Sequence, residues 1–586
     1  MKSNLLPPLK ELVIATGAIF ILALCAYSNS FEADFHYDDY HQIVKNEHIR
    51  ELSNIPSFFQ EGSSATYLTA NEGYRPLLYS SFALNYRFGL YDVRGYHIFN
   101  FLLHALNSVL VFLLAGAVFR AAGRRRSFAP SLAAALVFAL HPIQTGAVTY
   151  ISGRSVLLAS LFCLSSFFLF MLYRSGEKGI RQTILASLAV LLFLGGLLSK
   201  EMAVSLPALF LLYDLLFVLP GRDRAGRIKA FLFYIPVAAT AVLYLLARGR
   251  ILGYATVAAG PVSTHGYLLS ESKVFLLYLR LLLLPFNQNA DYNLPITRSA
   301  SALVVLSALL IITFVILLLK VRRKNPAATF FGLWFLIALA PESSIFPILD
   351  TAVEYRLYLP SVGFIAAFLS FFPDTIMHKK AASGLAIALL AMFGVLSFNR
   401  NAVWASEESL WRDVTAKSPW SSRAHNNLGI ALAKQNKYVE AEKEFRLCIA
   451  TDSRMINADV YSNLGLLYQK MGMDGLAIEN FKKAIWADPG EIEAAEDLGG
   501  LYIASGRYAE AVEVLETAVQ KNPGYTWTHY NLALAYEKLG RKKDALKEMQ
   551  AASQCSPNEI KPPPFLKERC APKNFNKRGH EPSAHY

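Results

Sequence analysis

Long apolar runs alternate with short polar stretches over the first two thirds of the chain. A helix needs about 20 residues to cross a bilayer, and the runs predict eleven spans, the first of them retained and not cleaved. They lie at about 11–30, 97–119, 129–147, 154–173, 182–199, 203–219, 230–247, 300–320, 327–341, 357–374 and 381–398. One further run, 274–286, is short and contains Arg280. It is predicted to lie at the membrane surface without crossing.

A second pattern begins near residue 420, where the apolar runs stop. A leucine followed by a small residue recurs at intervals of 36, 34 and 34 residues, which is the period of tetratricopeptide repeats. The four pairs are Leu428-Gly429, Leu464-Gly465, Leu498-Gly499 and Leu532-Ala533. Each repeat is predicted to form a helical hairpin that stacks on its neighbours.

Together the two patterns predict an all-α protein, in which a polytopic membrane helix bundle precedes a tetratricopeptide α-solenoid. The polar composition of the last 30 or so residues is typical of disorder. The predicted domains are a membrane domain at 1–398 with a first external loop at about 31–96, a linker helix at 399–420, about four repeats at 421–557 and a disordered tail at 558–586.

Composition and charge agree with a membrane protein. The chain is 54% hydrophobic and 17% charged, which is outside the range of ordinary soluble enzymes. Its net charge of +13 comes from short basic clusters between apolar runs, so it indicates membrane orientation and not a nucleic-acid partner. Keeping those clusters cytoplasmic places the amino terminus inside and the repeats outside. In this orientation the repeats would be periplasmic in a bacterial inner membrane, or lumenal in the endoplasmic reticulum membrane of a eukaryote.

Polar clusters that are unusual for their surroundings fall on one side of this topology. All six come out exoplasmic, at the ends of spans. They are residues 37–40, 73–77, 141–155, 199–201, 289–295 and 341–361. Their convergence predicts a single active site at the exoplasmic membrane surface.

Asp38 and Asp39 form an adjacent acid pair soon after the first span. Neighbouring carboxylates repel each other and resist desolvation, so the pair requires water, a metal, a cationic partner or a catalytic role. Helix capping, ion pairing and metal binding are its structural alternatives. The chain shows no zinc-binding spacing, and no metal or other cofactor is predicted.

The ordered motifs resemble a known family. They are "YDDY…IVKN", "YRPLLYSSFALNY", "YHIFNFLLHALN", "HPIQTGAVTYISGRS", "SKEMAVSLPALFLLYD", "LLLLPFNQNADYNLP" and "EYRLYLPSVGF", followed by the repeats. This set is similar to the transmembrane and tetratricopeptide-repeat O-mannosyltransferases of the GT-C superfamily. Gly146 stands where that family has a glutamate, and Arg356 lies one place later than the arginine of animal members. These departures favour a bacterial relative.

The resemblance implies an inverting glycosyltransferase. Its donor would be a polyprenyl-phosphate sugar, with mannose or another hexose, and its acceptor a hydroxyl group, such as Ser or Thr of a protein recruited by the repeats. The other implied partners are membrane lipids.

Within this resemblance the polar residues take expected roles. Asp38 or Asp39 is the candidate base, with a pKa raised by its neighbour and the membrane surface. Arg75, Arg154 and Arg356 are the candidates for the donor phosphate, although each could instead snorkel or pair with a carboxylate. Further site candidates are His141, Lys200, Glu201, Asp291 and Glu354.

Two interpretations from the residues alone give structural roles. Lys200 and Glu201 are expected to form an internal ion pair. His97, Asn100, His104 and Asn107 share one helical face, and such a stripe usually reflects polar packing between helices.

Two other classes of protein remain as alternatives. A transporter would place its polar groups near the membrane midplane, between inverted repeats of broken helices, whereas these clusters gather on one side. A non-catalytic membrane scaffold that presents the repeats is the second alternative to an enzyme. It would not need eleven spans or the clustered external acids and arginines.

Overall fold

The computed structural model describes residues 5–60, 73–176, 179–252, 263–299, 301–343, 350–373, 380–451 and 458–555. Within these ranges the chain forms helices and no strand, which confirms the all-α prediction. The chain divides into two compact units, Met1–Asp413 and Val414–Tyr586. The predicted disordered tail lies outside the described residues.

Seventeen α-helices begin within the described residues of the first unit. They are α1 (Leu9–Tyr27), α2 (Ile55–Phe58), α3 (Pro76–Gly89), α4 (Val93–Ala121), α5 (Phe128–Leu140), α6 (Thr145–Val148), α7 (Arg154–Ser175), α8 (Ile180–Leu197), α9 (Leu206–Tyr213), α10 (Arg224–Phe231), α11 (Tyr234–Leu252), α12 (Thr264–Leu283), α13 (Ala302–Val321), α14 (Pro326–Leu339), α15 (Tyr358–Ser370), α16 (Lys380–Val403) and α17 (Glu407–Lys417).

Eight helical segments among the described residues are long and apolar enough to cross a membrane. They are Leu9–Ser30, Val93–Ala121, Ile151–Ser175, Ile180–Leu197, Glu201–Gly221, Arg224–Leu252, Ala302–Val321 and Lys380–Val403. Each coincides with one of the eleven predicted spans. The chain is therefore an integral membrane protein, with several apolar helices in its first unit.

Three predicted spans differ in shape or length from the other eight. The predicted span 129–147 is bent by 51° where α5 ends, because Pro142 lacks the N–H that would continue the helix. The predicted spans 327–341 and 357–374 correspond to α14 and α15, which have 14 and 13 residues and are shorter than a full crossing. The two helices pack against each other. Among the described helices, α12 is not apolar enough to be counted as a span, in agreement with the prediction for 274–286.

The core of the first unit lies where α4, α5, α7, α14 and α15 meet. Its centre is aromatic: Phe167 packs with Phe210 at 5.8 Å and with Trp334 at 5.2 Å between ring centroids. By contrast, α11, α13 and α16 expose most of their apolar side chains. Such surfaces are suited to lipid and not to water.

The polar stripe of α4 packs inside the unit, as predicted. The side-chain amide of Asn100 donates to the carbonyl oxygens of Val148, Tyr150 and Ile151 at 3.2–3.3 Å. His104 contacts the Tyr358 hydroxyl at 2.8 Å. These bonds fix the chain between α6 and α7, from which the polar residues of the candidate site extend.

The described residues of the second unit form four helical hairpins. They are formed by α18 (Ser422–Lys434) with α19 (Tyr438–Thr451), α20 (Ala458–Lys470) with α21 (Asp474–Ala487), α22 (Ile492–Ala504) with α23 (Tyr508–Lys521), and α24 (Thr526–Lys538) with α25 (Lys542–Cys555). The four repeats therefore agree with the predicted period.

The repeated small residues explain how each hairpin closes. A Cβ atom at Gly465 would come within 2.5 Å of the Phe481 ring on the second helix of the same hairpin. The turns of the last three hairpins contain glycine with φ between 72° and 77°, and the first uses Asn436 with φ of 61°. Glycine and asparagine tolerate this left-handed conformation better than other residues do.

Candidate active site

The acid pair lies in a tight turn formed by residues 34–40, which we call the acid-pair turn. Tyr37 adopts a φ of 47°, a left-handed conformation that is costly for a bulky residue. Strain of this kind concentrates at functional sites. The turn places the two carboxylates in very different environments, because Asp39 is fully buried whereas the Asp38 side chain is 51% exposed.

Asp39 is held inside the protein by hydrogen bonds. Its carboxylate accepts the backbone N–H of Ser152 at 2.8 Å and that of His36 at 3.0 Å, and it also accepts the Ser152 hydroxyl. Burial raises the pKa of Asp39 to about 7, although the Ser152 and His36 bonds oppose this change and Asp38 adds to it. Asp39 therefore joins the acid-pair turn to the start of α7.

Asp38 lies at the surface beside Tyr150. The backbone N–H of Asp38 donates to the Tyr150 hydroxyl at 3.2 Å. Burial and the nearby Asp38 and Asp39 carboxylates hold the pKa of Tyr150 well above its usual value, so the phenol stays protonated. Asp38 Oδ1 is also 3.7 Å from Nε2 of His41. Of the two predicted catalytic acids, Asp38 is the one that an acceptor can reach.

A cluster of buried and half-buried ions gathers four cations around carboxylates. We call it the ion cluster, and its members are Arg75, Lys200, Glu201, Arg248, Glu271, Glu342 and Arg356. Arg75 Nη2 lies 3.3 Å from Glu201 and Lys200 Nζ lies 2.8 Å from Glu342. The expected pair between the adjacent Lys200 and Glu201 is therefore replaced by two pairs with residues far apart in sequence.

The ion cluster and the acid-pair turn are linked through Tyr355. The Lys200 ammonium lies 4.4 Å from the centre of the Tyr355 ring, and Tyr355 also interacts electrostatically with Asp38, Arg356 and Arg75. Burial would raise the pKa of Glu342, but Lys200 and Arg356 hold it below its usual value, so Glu342 is ionised. Residues of the polar clusters 37–40, 73–77, 199–201 and 341–361 therefore interact with one another here.

Arg356 is anchored by backbone carbonyls. Its terminal nitrogens donate to Thr351 at 3.0 Å and to Asp350 at 2.7 Å, and Nη1 lies 3.9 Å from Glu271. These contacts fix the guanidinium close to Lys200 and Glu342, whose titration it influences.

Arg154 occupies a different environment from the other two predicted phosphate ligands. It is fully buried and donates to Asn100 at 2.8 Å, to Asn85 at 2.5 Å and to the Tyr96 carbonyl at 3.0 Å. Its guanidinium also lies 4.8 Å from the centre of the Phe82 ring. This residue therefore ties α3, α4 and α7 together, and its placement argues against a contact with the donor.

The remaining predicted candidates shape the loops around the site. His141 Nδ1 accepts the N–H of Ile143 at 3.1 Å, at the break after α5. Glu354 is buried and accepts the Tyr292 hydroxyl and the Asn289 N–H, both at 2.7 Å. Asp291 Oδ1 accepts the N–H of Asn293 at 3.1 Å. Glu354 therefore fixes the loop that contains Asp291.

Sequence reasoning missed several residues of this region. Tyr150, Tyr355 and Glu342 lie within polar clusters that the sequence marks, but no signal in the sequence pairs them with Asp38 or Lys200. Arg248 near the end of α11 lies 3.9 Å from Glu201, although it was not predicted at all. The described residues contain no group of three or more His, Cys, Asp or Glu placed to hold a metal ion.

Family models match the repeats of the second unit. Two family models described as tetratricopeptide repeat match residues 463–526 and 502–561. A crystal structure of MamA is 21% identical and covers 26% of this chain and 86% of its own, with a TM-score of 0.24.

Relatives of known activity match most of the chain. Protein O-mannosyl-transferase F38B6.6 of Caenorhabditis elegans is 26% identical over 447 residues, which cover 74% of this chain and 62% of the relative. Protein O-mannosyl-transferase TMTC4 of Mus musculus is 28% identical over 501 residues, with 76% and 66% covered. The chain thus matches less than two thirds of the length of these relatives. The resemblance to transmembrane and tetratricopeptide-repeat O-mannosyltransferases is confirmed.

Proposed function

Starting from this family resemblance, we propose that the chain is a GT-C-type glycosyltransferase that uses a polyprenyl-phosphate sugar. The transferred sugar is mannose or another hexose, and the acceptor is a Ser or Thr hydroxyl of a protein on the exoplasmic face. The observation that carries the proposal is one exposed carboxylate, Asp38, whose neighbour Tyr37 packs against the same aromatic cluster as Tyr355. The Tyr355 ring in turn contacts Lys200 of the cation-rich ion cluster. The names of the similar proteins support the same chemistry.

Asp38 is the proposed base. It takes the proton from the acceptor hydroxyl while that oxygen attacks the anomeric carbon of the sugar. The bond between the anomeric carbon and the phosphate oxygen breaks, and the polyprenyl phosphate leaves with the bonding electrons. Attack from the face opposite the leaving group inverts the anomeric configuration.

Asp39 and Tyr150 are proposed to position this base. Asp39 holds the acid-pair turn against Ser152, and the Tyr150 hydroxyl accepts the Asp38 backbone N–H. Both contacts restrain the carboxylate that must face the acceptor. A base held in place avoids the loss of rate that comes from small errors in position.

The ion cluster is proposed to hold the donor phosphate. Its four cations face three carboxylates, so its formal charge is +1. Arg75 Nε is buried and has no hydrogen-bond partner among the described residues. Its N–H group is therefore available to an oxygen of the phosphate. A positive, partly dehydrated site stabilises the charge that develops on a departing phosphate.

The second unit is proposed to bind the acceptor polypeptide. Tetratricopeptide solenoids present extended concave surfaces that suit peptide or protein partners. The distribution of basic clusters would place the repeats on the same side of the membrane as Asp38. The repeats would thereby raise the local concentration of acceptor near the site.

A transfer assay with the purified full-length protein tests this proposal. The protein in lipid nanodiscs is given polyprenyl-phosphate mannose labelled in the sugar and a Ser/Thr-rich acceptor protein. We expect label in an alkali-labile linkage to the acceptor, and none with Asp38→Asn. Failure of the wild-type protein to transfer any hexose from polyprenyl-phosphate donors would contradict the proposed function. Transfer by Asp38→Asn at the wild-type rate would contradict the assignment of the base.

A further inference from the structure

The segment that follows the last span returns to the acid-pair turn. From sequence, residues 399–420 were expected to be only a linker helix. In the structure, the carbonyl of Ala405 accepts the N–H of Asp34 at 3.2 Å, and the carbonyl of Trp404 lies 2.7 Å from Nε2 of His36. Within the first unit, this segment therefore packs against the acid-pair turn that contains Asp38.

Its tryptophans pack with Tyr37 and Tyr150 into a largely buried group, which we call the aromatic wall. The Trp404 ring stacks on Tyr150 with centroids 5.7 Å apart and an interplanar angle of 25°. Trp411 packs on Tyr37 at 4.7 Å. Tyr37, whose left-handed backbone is strained, immediately precedes the acid pair. The strain is thus associated with both the acid pair and this aromatic wall.

Several buried donors in the wall lack a partner. Trp404 is 4% exposed and Arg400 is 6% exposed. Among the described residues, Trp404 Nε1 and the Nε and Nη2 atoms of Arg400 make no hydrogen bond, although Arg400 Nη1 donates to Asp413 at 2.7 Å. A buried donor without a partner is costly and is rare in native structures. Three such atoms on two residues four positions apart indicate a hydrogen-bonding ligand.

We propose that residues 400–411 complete the subsite for the hexosyl group of the donor, with Trp404 as a positioning and specificity residue. A hexose has an apolar C–H face that packs on an aromatic ring, and hydroxyl oxygens around its edge that accept hydrogen bonds. Trp404 Nε1 and the Arg400 guanidinium supply such donors beside the aromatic wall. This inference rests on the proposed function, because it assigns a substrate group to the same site.

A sugar fits these features better than an acceptor side chain does. A Ser or Thr residue offers one hydroxyl and little apolar surface. Its hydroxyl would therefore bond to only some of the unpaired N–H groups of Trp404 and Arg400. The location beside Asp38 agrees with a sugar whose anomeric carbon receives the attacking acceptor oxygen.

The test compares Trp404→Phe with wild-type full-length protein in nanodiscs. The substitution keeps an aromatic ring and removes the Nε1–H donor. Citronellyl phosphate mannose serves as a soluble short-chain donor, and its binding is measured by equilibrium dialysis alongside transfer kinetics. Analogues lacking single hydroxyl groups map which hydroxyl Nε1 contacts. We expect the affinity for the mannosyl donor to fall about tenfold, with discrimination against one deoxy analogue lost and the KM for the acceptor unchanged.

The matched control is Trp486→Phe, because Trp486 is 71% exposed in α21 of the second unit, outside the unit that contains the proposed hexosyl subsite. Its affinity for the mannosyl donor should equal that of wild type. If Trp404→Phe transfers the sugar and binds mannosyl donor and deoxy analogues as the wild type does, the proposed subsite is wrong. The proposed function is unaffected by that result. A rise in acceptor KM alone would also overturn it. Donor binding that depends on Trp404, in a wild-type protein that never transfers the sugar, would support the subsite and contradict the proposed function. A thermal midpoint equal to that of wild type shows that the variant is folded.

Discussion

The carboxylate of Asp39 accepts the backbone N–H of Ser152 at 2.8 Å and also accepts its hydroxyl. The two residues are separated by 113 positions in the sequence, so this contact brings the turn after the first span to the start of α7. It also separates the two acids by role. Asp39 is engaged within the protein, whereas Asp38 faces solvent.

The first prediction contrasts the two acids. Asp38→Asn should lower the rate of transfer by about 10²- to 10⁴-fold, as expected for loss of a general base, with little change in thermal stability because the side chain is half exposed. Ser152→Ala should instead lower the stability by about 1–3 kcal/mol, because it removes a bond to a buried carboxylate. Transfer assays and thermal unfolding in detergent measure both effects. Equal loss of activity and stability in both variants would contradict separate roles.

The second prediction concerns pH. The pKa of Asp39 is raised to about 7 in the folded protein, against about 3.9 in an unfolded chain. Between these values the folded state binds one more proton than the unfolded state, so stability falls as pH rises from about 4 to 7. The loss approaches about 4 kcal/mol, because a tenfold change in proton affinity corresponds to about 1.36 kcal/mol. Thermal midpoints measured from pH 5 to 8 should fall in the wild type and fall less in Asp39→Asn. Parallel curves for the two proteins would refute this account.

The repeats and most spans could be predicted from sequence because each depends on local pattern. The recurrence at 36, 34 and 34 residues places the four hairpins, and continuous apolar runs mark eight of the candidate spans. The shortness of α14 and α15 was not predicted, because mean apolarity does not show where a helix ends. The break after α5 was missed as well, although His141-Pro142 contains the residue that causes it.

The site could be predicted only as a set of motifs. Arg154 and Arg75 look alike in sequence, since both lie at the end of an apolar run, and only the tertiary partners Asn85 and Asn100 distinguish them. Lys200 and Glu201 were expected to pair because they are adjacent. In an extended stretch, adjacent side chains point in different directions, and each found a partner elsewhere. Trp404 belongs to no periodic pattern, so its stacking on Tyr150 could not be predicted.

The third prediction tests the division among the arginines. Arg75→Lys should raise the KM for the lipid-linked donor, because an ammonium group cannot reproduce the planar fork of a guanidinium. Arg356→Lys should do the same. Arg154→Lys should leave the donor KM unchanged and lower the thermal midpoint, since it breaks buried bonds among α3, α4 and α7. A raised KM for the donor in a folded Arg154→Lys variant would show that Arg154 binds the donor phosphate.

The fourth prediction uses two glycines of the second repeat. Gly465→Ala should destabilise the hairpin, because the new Cβ would meet the Phe481 ring at 2.5 Å. Gly475 lies in α21, where an added Cβ atom would have nothing within 4 Å, and Gly475→Ala should be neutral or stabilising by up to about 1 kcal/mol. Hydrogen exchange of α20 and α21 in the full-length protein measures both. Equal protection in the two variants would show that Phe481 moves aside without cost.

The last prediction concerns the side of the membrane on which the repeats lie, since the proposed recruitment of acceptor depends on it. Gln435 is exposed at the end of the first repeat helix, and Arg125 is exposed in a basic cluster between α4 and α5. Because basic clusters remain cytoplasmic, Arg125→Cys in bacterial spheroplasts should react with a membrane-impermeant thiol reagent only after permeabilisation. Gln435→Cys should react while the spheroplasts are intact. The native cysteines, measured in the unsubstituted protein, set the background. Protection of both positions until permeabilisation would place the repeats on the cytoplasmic side, where they could not deliver an acceptor to Asp38.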